Sequence, residues 1–137
     1  MKLNVKNLLS QEIGSIQEDR FSHPLKIEDL ELIEPIEGKY RLIRLEKSIV
    51  GHFYIRLIAK INCARCLLDF DFMVEAEFDR EFSQLPGEEF LPIKDFKIDI
   101  EESLREEVLL ALPIKPLCDE GCKGLCPSCG RNLNLED

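Results

Sequence analysis

A chain of 137 residues, 45% hydrophobic and 33% charged, is the size of one domain and can bury a core without disulfide staples. Seven glycines, seven prolines, no tryptophan and no repeated tract exclude collagen-like, prion-like and wholly disordered classes. The net charge of −9 is uneven: residues 1–68 carry 11 Lys/Arg against 9 Asp/Glu, residues 69–107 carry 4 against 14, and residues 108–137 carry 3 against 4.

An acidic centre of that density repels a phosphate backbone, so work near RNA calls for local basic patches or a basic protein partner. The run also reads as an ordinary solvated surface that keeps the chain in solution. No stretch reaches the roughly 18 apolar residues of a membrane-spanning helix. The opening Met-Lys-Leu-Asn-Val-Lys-Asn lacks the apolar run of a secretory signal. The expectation is a cytoplasmic protein with no membrane partner.

In chain order, Leu3, Val5, Leu8 and Leu9 suggest a short strand or turn along one edge. Ser22-His23-Pro24 reads as a break, because a proline pushes its predecessor out of the helical region. Glu34-Pro35 and Glu37-Gly38 bracket an irregular piece, and Lys39 to Val50 predicts one strand. Beyond it, Phe53, Ile55, Leu57, Ala59 and Ile61 alternate with polar neighbours, as do Phe70, Phe72, Val74, Ala76, Phe78 and Phe82. A period of two places each apolar set on one face of a sheet, so two long antiparallel strands joined at Cys63-Ala64-Arg65-Cys66 are predicted. The opposite face of the second strand carries Asp71, Glu75, Glu77 and Asp79. Like charges in a row are tolerable only in water or against a cationic partner, which makes these four a candidate partner-binding face.

After a loop at Leu85-Pro86-Gly87-Glu88, Asp99 is placed to cap a helix, with Glu102 three residues on completing a capping box. Ile100, Leu104, Val108 and Ala111 recur at helical spacing, and Pro113 stops the element. The predicted fold class is therefore α+β: an antiparallel sheet with a long central hairpin, one helix packed on it, and a Cys-rich zinc-knuckle tail. It reads as a single domain over 1–137, a body at 1–112 followed by the tail at 113–137.

Six cysteines form three pairs: Cys63 with Cys66, Cys118 with Cys122, and Cys126 with Cys129. Two thiolates two or three residues apart can reach one tetrahedral ion from a tight turn, which points to structural Zn2+. Pro127 stiffens the last turn, and Gly130 permits a left-handed residue after it. His23 and His52 neighbour no pair and read as surface or sheet residues. Four thiolates on Zn2+ leave a charge near −2, so Arg65, Lys123 and Arg131, inside or beside the pairs, suit the site and are also candidate RNA contacts. Four of the six cysteines suffice. Either Cys63 and Cys66 share an ion with a tail pair, or the tail folds round one alone; the shared arrangement is favoured because it clamps the chain end to the sheet. A disulfide framework, a thioredoxin-like pair and an iron–sulfur site compete less well on compartment, topology and size. A thiol-based redox sensor remains an alternative.

No Gly-rich phosphate loop, Ser/His/Asp set or His-Glu-x-x-His helix occurs, so neither an enzyme nor a small-molecule substrate is expected. Four features in order carry a resemblance: Cys-Ala-Arg-Cys-Leu at 63–67, an acidic second strand, Ile-Asp-Ile at 98–100 opening a Glu- and Leu-rich helix, and Leu-Pro-Ile-Lys-Pro-Leu-Cys at 112–118. With Cys-Lys-Gly-Leu-Cys-Pro-Ser-Cys-Gly-Arg-Asn-Leu-Asn at 122–134, the chain resembles the YceD family of large ribosomal RNA subunit accumulation proteins. That resemblance implies a non-enzymatic bacterial or plastid factor needed for normal levels of large-subunit rRNA. The partners it implies are the large ribosomal subunit precursor, its rRNA, or a small basic zinc-ribbon ribosomal protein.

Overall fold

The computed structural model describes residues 1–133 apart from 29, 86, 88, 114, 119, 120, 126, 128, 131 and 132. In chain order the elements are β1 (Lys2–Asn4), α1 (Lys6–Leu9), β2 (Ile16–His23), β3 (Glu31–Leu32), β4 (Ile36–Arg44), β5 (Ile49–Asn62), β6 (Asp69–Ser83), β7 (Leu91–Pro92), β8 (Lys97–Asp99) and α2 (Glu101–Ala111). Alternating apolar residues give β5 and β6 a shared inner face, and the two strands pair antiparallel over 14 positions from Ile49↔Phe82 to Asn62↔Asp69. Phe53 stacks on Phe78 at 5.1 Å between ring centroids and meets the edge of Phe82 at 6.3 Å. Such pairs add to the burial of apolar area that dominates folding.

The main sheet runs β2-β4-β5-β6-β7, with β3 beside β5. It is mixed rather than purely antiparallel, because β7 joins β6 in parallel at Phe82↔Leu91. The stretch 39–50 is not one strand: β4 ends at Arg44, and the Leu45 N–H donates to the Ser48 carbonyl at 2.8 Å to turn the chain into β5. Glu37 and Gly38, read as irregular, lie inside β4, paired with Arg56 and Ile55. β2 carries too few apolar residues to announce itself and is held by eight pairs to β4.

α2 buries Leu104 and Val108 against the core, joined by Ile100 just before it, and Arg80 of β6 reaches Glu107 at 2.7 Å. Its start departs from the expected capping box. Ile100 is the N-cap and makes no side-chain cap bond, while Asp99 ends β8 and accepts from the Glu101 N–H at 3.1 Å. The short β1–β8 pair and α1 bring Leu3, Val5 and Leu8 into the same core, so the N-terminal apolar residues include a helical turn. With α2 packed on the inner face of β6, the outer faces of β2, β4 and β5 stay exposed.

Candidate metal centre

The hairpin tip is built by its own backbone. The Cys63 N–H donates to the Leu68 carbonyl at 2.9 Å and the Leu67 N–H to the Cys63 carbonyl at 3.0 Å. Leu67 takes a left-handed φ of 64°, and the Asn62 side-chain amide donates to its carbonyl. The tail is stitched on at two points. The Ala64 N–H donates to the Pro116 carbonyl at 2.7 Å, and Arg65 Nη1 donates to the Cys122 carbonyl at 2.9 Å. Gly124, at φ 79°, has its carbonyl bonded by the Leu133 N–H. Its left-handed backbone suits glycine alone at low cost.

This folding brings the Sγ atoms of Cys63, Cys66, Cys118 and Cys122 within 4.8 Å of one another. Cys63 and Cys122 are 3.6 Å apart, and Cys66 and Cys118 are 3.7 Å apart. Sulfurs bound at about 2.3 Å round a tetrahedral Zn2+ lie roughly 3.8 Å from each other, so the donor set has the size and softness that ion requires. All four are free thiols, and Phe70, Leu117 and Leu125 pack round them. Cys129 is exposed, outside the cluster; Cys126 and Arg131 lie outside the described residues.

The site polarises its own thiols. Burial pushes the Cys63 thiol up, but backbone N–H donors from Cys66, Cys118 and Arg65, and a side-chain bond with Cys66, bring it down to about 6. At Cys66 the Leu68 N–H favours thiolate, yet burial and the neighbouring sulfurs of Cys63 and Cys122 leave the thiol raised. Cys118 is exposed as a residue, but its sulfur packs on the other three; desolvation and those sulfurs push it to about 12. One ready thiolate beside reluctant ones is an arrangement that a divalent cation completes.

The remaining expected residues fall elsewhere. Asp71, Glu75, Glu77 and Asp79 all lie exposed on the outer face of β6. Sequence alone did not show what stands beside them: Lys60, Arg56, Tyr54 and His52 of β5 are their register partners, and His52 contacts the Asp79 carboxylate. Lys123 is exposed on the loop after Cys122. His23 ends β2, with Nε2 3.7 Å from Glu101, away from the sulfurs. The supporting bonds at Pro116 and Leu67 carried no sequence signal, because each is made by a backbone carbonyl, with Asn62 contributing its side-chain amide to the Leu67 one.

A sheet-rich body whose hairpin tip and tail converge on four cysteines defines a knuckle-bearing protein. The family described as "Large ribosomal RNA subunit accumulation protein YceD" matches residues 51–137, and the chain belongs to that family. The chain is similar to the maize protein named "Large ribosomal RNA subunit accumulation protein YCED homolog 1, chloroplastic", 42% identical over 43 residues, covering 31% of this chain and 15% of that protein. The Arabidopsis thaliana protein of the same name is 47% identical over 38 residues, 28% and 12% of the two chains. An uncharacterized protein of Mycobacterium tuberculosis is 33% identical over 83 residues, 55% and 40%. The chain thus spans less than half the length of each of these relatives. No solved structure matches it. Among the described residues, no helix is long and apolar enough to cross a membrane.

Proposed function

We propose that this protein is a non-enzymatic ribosome-biogenesis factor that supports accumulation of large-subunit rRNA, with Zn2+ as a structural ion on Cys63, Cys66, Cys118 and Cys122. Membership of a family described by that rRNA role supports the reading, and the family match includes the hairpin tip and all four cysteines. The ion would fix the tail to the hairpin tip within one unit spanning 1–137, a body at 1–112 and a tail at 113–137, and would supply no chemistry. A cluster of free thiols suits a reducing compartment, and the cytoplasm is the proposed location.

The acidic row of β6 is the proposed partner surface, facing a large-subunit precursor through a small basic ribosomal protein of the zinc-ribbon kind. The single observation that carries this is the exposure of Asp71, Glu75, Glu77 and Asp79 along one strand face. Replacing them together by Asn and Gln should leave the fold intact and abolish co-purification with large-subunit precursors. Undiminished co-purification would refute the acidic surface. Native mass spectrometry that finds one zinc per chain supports the structural ion; a metal-free chain whose Cys118–Cys122 segment stays docked on the hairpin tip refutes it.

A further inference from the structure

The outer sheet face carries a second charged feature, opposite in sign to the acidic row. Between β2, β4 and β5 lies an open depression of about 560 Å³, lined by Arg20, Ser22, Glu37, Lys39, Tyr54 and Arg56. Arg20, Lys39 and Arg56 are exposed, and none of the three closes a side-chain ion pair among the described residues. Glu37 is the register partner of Arg56 yet forms no ion pair with it. Lys39 Nζ sits 5.5 Å from the centroid of the half-buried Tyr54 ring. The neighbouring charges along the same face are already matched: Arg41 with Glu18 at 2.7 Å, and His52 with Asp79.

Three cations without a carboxylate partner among the described residues, one of them over the Tyr54 ring, on a chain of net charge −9, are an anion-binding arrangement the overall charge does not predict. We propose that this depression binds single-stranded RNA, with phosphates on Arg20, Lys39 and Arg56 and one base against Tyr54. Stacking with phosphate neutralisation is how flat sheet faces hold single strands. The β6 row gives the site its polarity. Glu75 and Glu77 stand one strand from Arg56 and Tyr54, roughly 5 Å away, and confine the phosphates to the β2–β4 side. A duplex, which presents phosphates on both flanks, would set one flank against those carboxylates. Arg20 and Lys39, on β2 and β4, lie outside the segment 51–137 that matches the family, whereas Tyr54 and Arg56, on β5, lie inside it. The proposal rests on the ribosomal reading for the kind of partner and not for the residues.

The test is fluorescence anisotropy of the full chain with a labelled single-stranded RNA of about 12 nucleotides, titrated with salt. Arg20→Gln, Lys39→Gln and Arg56→Gln together should weaken binding more than about tenfold and lower the salt slope by about 2. Tyr54→Leu should weaken it about tenfold with the slope unchanged. Removing the same charge elsewhere, as Lys2→Gln, Lys26→Gln and Lys94→Gln, should leave most of the affinity. Equal loss in both triple variants overturns the site, as does equal binding of a duplex or of a Glu-rich peptide. Ultraviolet crosslinks should map to β5; crosslinks confined to the cysteine knuckle overturn it. If the chain binds no RNA yet still co-purifies with large-subunit precursors, the sheet-face site fails while the biogenesis reading stands.

Discussion

Arg65 Nη1 and the Cys122 carbonyl, 57 positions apart in the chain, meet at 2.9 Å and tie the hairpin tip to the tail. The guanidinium thereby brings a positive charge beside four sulfurs and holds one of them in place. Contacts of this kind orient metal ligands, and their loss commonly costs about 10–100-fold in affinity. Arg65→Met should weaken zinc binding by about that factor, read by competition with a chromogenic chelator, with the body still folded by circular dichroism.

Loading the ion should release fewer than four protons near neutral pH. Cys63, held at about 6, is already largely thiolate there, whereas Cys66 and Cys118 (about 12) keep their protons until the metal displaces them. Calorimetry of zinc binding in two buffers of different ionisation enthalpy counts those protons. A count of four per ion would show that Cys63 is not pre-ionised.

Phe53 is fully buried among Tyr40, Phe78 and Phe82, whereas Leu110 on α2 is 78% exposed. Phe53→Ala should therefore cost about 3–5 kcal/mol in urea unfolding, through lost burial and a residual cavity. Leu110→Ala should stay within about 0.5 kcal/mol.

Acid should loosen the junction of β1, β8 and α2. The Met1 ammonium bonds Glu101 at 2.8 Å and holds that carboxyl below its ordinary 4.5. The Glu101 N–H donates to Asp99 and, with the ammonium, holds it below 3.8. Carboxyls depressed in the folded state give stability that is fully present above their unfolded values and is lost as pH falls through the folded ones. Thermal melts should thus drop in midpoint below about pH 4.5, and Glu101→Gln should flatten that descent. An unchanged slope in the variant would remove Glu101 from the account.

The central hairpin was legible because both strands keep strict two-residue alternation over a long stretch, and Phe53, Phe78 and Phe82 fall where that pattern places them. β2 was not legible. Its Gln17, Glu18, Asp19 and Arg20 bury little, and the strand exists because β4 supplies its hydrogen bonds. The turn at 45–48 hid for a related reason: Leu45 and Ile49 flank it, so apolar content runs on while direction reverses. At α2 the apolar stripe was readable, and Asp99 does accept from the first-turn Glu101 N–H, but it does so from the end of β8, paired with Lys2, and not as the N-cap. Cysteine spacing announced a candidate metal set, yet the proximity of Cys118 and Cys122 to the tip depends on Pro116 and Arg65 contacts that spacing does not encode.

The sulfur cluster and the aromatic core have no buried residue in common. With the proposed Zn2+ stripped by a chelator, the segment round Cys118 and Cys122 should therefore come away from the hairpin tip well before the strands behind it give way.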